Sequence, residues 1–149
     1  MKRIVGRVVG VVAAAAMAPI LVTAAAQAAP GTVYFHAGGF HCAIAGDGSV
    51  GCDFGSPMSL QYSFLPFSFP VNEIVIDQPW LPAHPTFDAG TPYTLPGGNP
   101  GLDSVATGAG QWGPYIEHAG ARCEVGFHGS FTCRSKGRAF TSFGGSITA

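Results

Sequence analysis

The chain has 149 residues, with 7 Lys and Arg against 8 Asp and Glu and a formal net charge of −1. Lys2, Arg3 and Arg7 lie at the N-terminus, and residues 29–120 contain no Lys or Arg. Nucleic-acid binding through bulk charge is excluded, because phosphate contacts need a basic surface.

The N-terminal segment has the three parts of an export signal. The apolar run Val8–Ala26 follows the basic residues. Ala26-Gln27-Ala28 then places small residues at positions −3 and −1 of a signal-peptidase cleavage site. We expect residues 1–28 to be a signal peptide cleaved near Ala28. Residues 29–149 then form one secreted, extracellular domain that does not span the membrane. An uncleaved anchor is the alternative, since the run is nearly long enough to cross a bilayer; Pro19 argues against it.

Composition after the leader predicts an all-β or mainly β, loop-rich fold. The chain contains 22 Gly and 12 Pro, which punctuate strands and are unfavourable inside helices. Only 10% of residues are charged and 11% are aromatic, which argues against disorder. No segment after the leader shows a sustained helical period. We expect a small antiparallel sheet or sandwich.

Four cysteines in an exported chain predict two disulfides. Nine residues separate Cys42 from Cys52, and nine separate Cys123 from Cys133. We predict those two bridges, although sequence alone leaves pairing between the two segments open. Zinc is the functional alternative, but the chain lacks Cys-x-x-Cys and closely spaced His pairs. We therefore expect no metal, and no cofactor.

Each cysteine pair predicts a β-hairpin. A turn centred on Asp47 places Cys42 opposite Cys52 and Ile44 opposite Val50, all on one face. A turn centred on His128 does the same for the second pair, with Val125 opposite Phe131. Directly opposed strand residues have the Cα separation that a disulfide prefers.

The remaining elements follow from β-prone runs and from breaks. Strands are predicted at 32–36, 72–77, 112–117 and 138–143. The other segments are predicted as an edge strand or aromatic loop at 54–70, extended or turn structure at 78–100, and a mobile loop at 101–111.

Several of these segments resemble a known group of proteins. Residues 121–125, 129–134 and 137–141 are similar to the C-terminal signature of small exported actinobacterial proteins of the mycobacterial and Nocardia type. Phe40-His41-Cys42 and residues 72–76 extend the likeness. These are hypothetical secreted proteins or lipoproteins without an established activity. The resemblance implies an envelope-associated role and no reaction, and this chain lacks the lipid-attachment cysteine of the lipoprotein members.

Motifs for catalysis are absent from the sequence. Residues 46–51 match Gly-x-Gly-x-x-Gly, but the match lies between two cysteines and predicts a hairpin turn instead of a dinucleotide site. The five histidines are scattered, no serine lies in a Gly-x-Ser-x-Gly elbow, and no acids form a tight pair.

Arg134, Lys136 and Arg138 are the candidate binding residues. They alternate with a period of two, so they share one face if the strand continues past Cys133. Such a stripe would bind an anionic wall polymer, a lipid headgroup or an acidic partner. The sequence favours the plainer interpretation, an ordinary solvated face or pairing with nearby acids, because exposed charge runs are common and Gly137 can end the strand.

The aromatic residues have two interpretations. Tyr62, Phe64, Phe67 and Phe69, with Trp80 nearby, fill the core or line a groove for a glycan or lipid. We expect the core to take most of them, since two hairpins alone offer few large apolar groups.

These observations favour a non-catalytic binding module that is extracellular or associated with the cell envelope. Its partner is unknown; an anionic envelope polymer or a protein would suit the basic residues. The alternatives are a small secreted hydrolase using His and Asp or Glu, and a protease inhibitor that presents residues 78–100.

Overall fold

The computed structural model describes residues 31–149, and the predicted signal peptide at 1–28 lies outside the described residues. The strands are β1 (Val33–Ala37), β2 (Phe40–Ile44), β3 (Val50–Gln61), β4 (Ser68–Ile76), β5 (Gly108–Ala109), β6 (Pro114–His118), β7 (Ala121–Val125), β8 (Phe131–Ser135), β9 (Arg138–Phe143) and β10 (Ser146–Thr148). The described helical elements are one short helix, α1 (Leu102–Val105), and a 3₁₀ turn (Phe127–Gly129). The prediction of a mainly β domain with little helix is confirmed.

The strands form one curled sheet in the order β1-β2-β3-β10-β9-β8-β7-β6-β5, with β4 also paired to β3. Neighbouring strands run antiparallel except for β3 and β10, which are parallel. Within the described part, β10 is the strand that joins the β1–β4 half of the sheet to the β5–β9 half.

Both predicted hairpins and both predicted disulfides are confirmed. Cys42 lies opposite Cys52, and Cys123 lies opposite Cys133, with Cα–Cα distances of 4.1 Å. The first turn centres on Asp47, so the Gly-x-Gly-x-x-Gly segment is a turn as predicted. The second turn tolerates a left-handed residue at its centre, His128, with φ 53°.

The core lies between the inner faces of the two halves of the curled sheet. Every second residue of the first hairpin points inward with its disulfide, and the second hairpin repeats the pattern. Phe131 of β8 packs on Phe35 and Phe40, with ring centroids 6.3 and 5.0 Å apart. These aromatic contacts hold one half of the sheet against the other.

Residues 54–70 are more regular than predicted. β3 continues to Gln61 through an irregularity between Asp53 and Met58, and Pro57 lies within it. β3 is therefore a central strand that pairs with β2, β4 and β10. The edge position belongs to β4, which is why it tolerates Pro70.

Residues 101–111 contain α1 and β5 instead of an irregular loop. Leu102 is 3% exposed and anchors the helix to the core, and the Ser104 amide donates to the Gly101 carbonyl. A single buried leucine in a Gly- and Ala-rich segment gives no periodicity, so the sequence pattern could not predict it.

The aromatic residues of 62–80 divide between core and surface. Tyr62 is buried, its hydroxyl donates to the Ala83 carbonyl at 2.8 Å, and Phe69 packs against the core. Phe64, Phe67 and Trp80 are more than half exposed. The core interpretation is therefore correct for two of these residues.

The two disulfides indicate an oxidising, extracellular setting. Among residues 31–149, no helix is both long enough and apolar enough to cross a membrane.

Candidate functional site

The outer face of β1–β4 is covered by residues 77–101, here called the covering loop. The ring of Tyr93 in this loop lies directly on Gly51 of β3, where any side chain would collide with it. A glycine at this position therefore lets the loop approach the sheet closely. The covering loop is also paired to the sheet through backbone bonds between Val75 and His84, at 2.8 and 2.9 Å.

A row of four titratable side chains crosses this face beneath the loop. The strand register places His36 opposite His41, His41 opposite Asp53, and Asp53 opposite Glu73. Asp53 and Glu73 are 3% and 5% exposed. His41 Nδ1, Asp53 Oδ1 and Glu73 Oε2 are buried and have no hydrogen-bond partner among the described groups.

The two carboxylates of this row hold the covering loop. Asp53 Oδ2 accepts bonds from the Tyr93 amide at 2.8 Å and the Thr94 hydroxyl at 2.7 Å. Glu73 Oε1 accepts bonds from the Thr86 amide at 2.7 Å and the Thr86 hydroxyl at 2.5 Å. Both residues therefore act as acceptors for loop groups that would otherwise be buried without a partner.

Burial raises the pKa of Asp53, and the charge of Glu73 adds to the rise, although the bonds from Thr94 and Tyr93 oppose it. Burial also raises the pKa of Tyr93, helped by Glu73, Asp53, Asp88 and Asp77. Tyr93 therefore keeps its proton at neutral pH.

Asp53→Asn is expected to become more stable relative to the parent protein as the pH rises. A carboxyl whose pKa is raised on folding contributes fully below about pH 4, its unfolded pKa, and loses that contribution as pH rises through the raised value. Asparagine does not ionise and can still accept from Tyr93 and Thr94. Urea unfolding at several pH values measures the difference. The exposed Asp103→Asn is the control, and a stability difference at Asp53 independent of pH would contradict the expectation.

Asn99 anchors the other end of the covering loop. Its Nδ2 atom donates to the carbonyls of Phe35 and Cys42 at 3.1 Å and of Tyr93 at 2.8 Å, and its Oδ1 atom accepts from the Leu95 amide at 2.8 Å. Asn99 is 7% exposed. One side chain thus satisfies groups on two strands and within the loop itself.

A cleft of about 310 Å³ remains between the covering loop and the sheet. Tyr34 and Tyr93 contribute aromatic rings to its lining, and the small residues Ala43, Ala45 and Gly51 contribute part of the sheet surface. Its remaining lining residues are Thr32, Ser49, Val50, Val75, Asp77, Thr86 and Pro92. The lining contains a carboxylate and hydroxyl groups but no basic residue.

Asp77 is the charged group of this cleft. Its Oδ1 atom is shielded from solvent and has no hydrogen-bond partner among the described groups. The nearest cationic candidate is His84 Nε2, 3.7 Å from that oxygen. This distance is beyond a hydrogen bond, so no described group donates to this oxygen.

The candidate residue Lys136 lies at the edge of this cleft. Its Nζ atom contacts Asp47 Oδ2 at 3.1 Å, and Ser49 Oγ and the Asp77 carbonyl at 3.0 Å. Hydrogen bonds from Ser49, together with Lys136, lower the pKa of Asp47 to about 2. Lys136 therefore links the β8–β9 turn to the β2–β3 turn through its ion pair with Asp47.

Arg134, Lys136 and Arg138 do not form the alternating stripe that the period of two predicts. β8 ends at Ser135, and Lys136 and Gly137 make the turn to β9 with φ values of 50° and 74°. Two consecutive left-handed residues fit a tight hairpin turn. Register then places Arg134 opposite Ala139 and Arg138 opposite Ser135, on opposite faces of the sheet.

The turn nevertheless brings the basic residues to one shallow depression. Arg122, Arg134, Lys136 and Arg138, which are all the Lys and Arg of the described residues, line it together. Arg134 contacts Glu124 at 2.9 Å, and Arg122 contacts both Glu124 and Glu117 at 2.9 Å. Most of the positive charge is therefore compensated by neighbouring acids.

Arg138 differs from the other three basic residues. Its Nε atom donates to the Pro79 carbonyl at 2.7 Å, and no carboxylate of the described residues pairs with it. Whether this depression binds an anion stays a prediction.

His36 and His41 are neighbours, with ring centroids 5.7 Å apart. His84 has a carboxylate nearby, His36 Nδ1 contacts the Asn99 carbonyl at 2.8 Å, and His118 Nε2 contacts the Gly31 carbonyl at 2.7 Å. No histidine in residues 31–149 contacts both a nucleophile and a carboxylate. The same residues contain no group of three or more His, Cys, Asp or Glu arranged to hold a metal ion.

The covering loop and its anchors were not predictable from local sequence patterns. One signal was available: the predicted register of the first hairpin, extended by one residue, places His41 opposite Asp53. Glu73, Tyr93 and Asn99 gave no local signal, because their partners lie far away in the chain. Evidence on function comes from this geometry alone: the chain matches no protein-family model, no curated protein and no solved structure.

Proposed function

We propose that the chain is an exported, non-catalytic binding module of the cell envelope or extracellular space, and that the cleft under the covering loop is its ligand site. We further propose that the ligand carries a positively charged amine or quaternary ammonium group. The observation that carries the proposal is the lining of the cleft, which combines Tyr34, Tyr93 and the acidic Asp77 and contains no basic residue.

The chemistry of the lining favours a cation. Tyrosine rings attract ammonium groups through their negative faces, and a nearby carboxylate adds a charge interaction. The charges of Glu73, Asp53, Asp88 and Asp77 all act on Tyr93. Lys136 provides an internal precedent, because its ammonium group already binds the Ser49 hydroxyl and the Asp77 carbonyl at the edge of the cleft.

The other functions have less support. An anionic polymer at the basic depression would have to compete with Glu117, Glu124 and Asp47 for the cationic side chains. A hydrolase needs a nucleophile, a base and an orienting group together. A protease inhibitor needs a projecting loop, whereas the covering loop is bonded to the sheet through Asp53, Glu73 and Asn99.

Choline is the first probe of this site, with 3,3-dimethylbutan-1-ol as its uncharged analogue of the same shape. We expect choline to bind and the alcohol to bind much more weakly, as measured by isothermal titration. Asp77→Asn should weaken choline binding by about tenfold, because the charge attraction between the carboxylate and the ammonium group is lost and about 1.4 kcal/mol corresponds to a factor of ten.

Asp103→Asn, an exposed change on α1, is the matched control and should leave the affinity unchanged. Equal binding of choline and its neutral analogue would contradict a cationic ligand. The absence of binding by choline and by primary alkylamines would contradict the site. Export is tested separately: mass spectrometry of the protein from culture medium should find an N-terminus near Ala29.

A further inference from the structure

Four turns meet at the end of the molecule opposite the basic depression. They are the β1–β2 turn at 38–39, the β5–β6 turn at 110–113, the β7–β8 turn at 126–130 and the β9–β10 turn at 144–145. One groove of about 380 Å³ is lined by residues of three of them. The fourth turn, between β5 and β6, contributes Trp112, whose ring packs on Phe127 of the β7–β8 turn with ring centroids 4.7 Å apart. We call this surface the aromatic end.

The four turns of the aromatic end carry no Asp, Glu, Lys or Arg, and the nearest exposed acid is Asp103 of α1, which lines an adjoining depression with Gly38 and Val125. Residues 37–40, 109–113, 125–131 and 142–146 contain no Asp, Glu, Lys or Arg, and His128 is their single titratable residue. The basic residues of the described part line the depression beside the β6–β7 and β8–β9 turns, which are at the other end of the same strands. Within residues 31–149, the Lys and Arg side chains are thus confined to the other end of these strands.

Large apolar side chains are exposed at this end. Trp112 and Phe127 are each 54% exposed, and Phe143 is 60% exposed. The groove between the turns adds Phe40, Met58 and other apolar groups to the same surface. A cluster of exposed aromatic side chains around an apolar groove marks an interaction surface.

We propose that the aromatic end docks on a lipid bilayer, with Trp112, Phe127 and Phe143 inserted at the level of the headgroups and upper acyl chains. Tryptophan is favoured at that depth because its ring is apolar while its N–H remains near water. Charged side chains oppose entry into the bilayer, and none is present on the four turns.

The absence of charge also decides between a lipid and a protein partner. Protein interfaces surround an apolar centre with a polar rim that supplies hydrogen bonds, whereas the turns around these aromatics consist mainly of glycine. Glycines 38, 39, 129, 144 and 145 have open space where a side chain would be. Narrow turns of this kind can enter a headgroup layer with little displacement. The attraction is apolar, so it should not depend on anionic lipid or on salt.

The test uses the purified secreted protein carrying Trp80→Phe, so that Trp112 is the only tryptophan. Mass spectrometry must first confirm removal of the N-terminal segment, because a retained apolar leader would bind lipid itself. We expect blue-shifted Trp112 emission and co-sedimentation with phosphatidylcholine vesicles. The affinity should agree within about twofold when phosphatidylglycerol is included or salt is raised.

The double variant Phe127→Ser, Phe143→Ser should lower the vesicle affinity by about tenfold or more. Phe64→Ser, Phe87→Ser is the matched control, since these phenylalanines are 66% and 77% exposed elsewhere, and it should bind like the parent. Circular dichroism checks that both variants fold. Absence of binding to either vesicle, binding only to anionic vesicles, or equal loss in both double variants would each overturn the proposal.

Discussion

Replacing Asn99 with alanine is expected to lower the free energy of unfolding by about 3 kcal/mol, because several buried groups lose their partner at once. The side chain bonds the carbonyls of Phe35, Cys42 and Tyr93 and the amide of Leu95. Water cannot easily replace it, since the residue is 7% exposed. Urea unfolding followed by circular dichroism measures the loss.

Asn72→Ala is the matched control for Asn99. Asn72 lies on β4 and is exposed, so its replacement should change the free energy of unfolding by less than about 0.5 kcal/mol. The Asn99 variant should also bind choline more weakly, because the loop that carries Tyr93 loses its anchor. A stability loss at Asn99 no larger than that at Asn72 would show that the covering loop is held by its other contacts.

Ile147→Ala should have an effect of similar size, about 3 kcal/mol, by opening a cavity at the centre of the sheet. Ile147 is fully buried, and β10 pairs with β3 on one side and with β9 on the other. The packing contacts that Ile147→Ala removes therefore lie at the junction between the two halves of the sheet. The unfolding transition should move to lower urea concentration while both disulfides remain formed.

A graded series at β10 tests whether the loss of stability follows the buried volume that is removed. Ile147→Val removes one methylene group and should cost about 1 kcal/mol, whereas the exposed Thr148→Ala should cost little. A loss at Thr148→Ala as large as that at Ile147→Ala would contradict the expectation that burial of the Ile147 side chain is the cause.

The local parts of the fold were predictable because their signals lie close together in the chain. Cys42 and Cys52 enclose a turn centred on Asp47, and this spacing alone defines the register of the hairpin. The same is true of Cys123 and Cys133 around His128. The strand at 138–143 was also predicted, and its bounds agree with those of β9.

The remaining features depend on partners that are distant in sequence. The pairing of Ile147 with Leu60 joins two strands that lie far apart in the sequence, and no local pattern predicts it. Alternation suggested a continuous strand through Lys136, but the left-handed Lys136-Gly137 turn ends it. The covering loop lacks strand or helix periodicity, and its position is decided by single bonds from Asp53, Glu73 and Asn99.

The two disulfides have a consequence for how the molecule acquires its shape. Each closes a segment with a sequence separation of only 10, whereas a bridge from Cys52 to Cys123 would close a far longer one. Short loops close faster and with a smaller loss of chain entropy. The correct crosslinks should therefore form early and independently, so that oxidative refolding of the reduced chain recovers the native pairing without help from an isomerase.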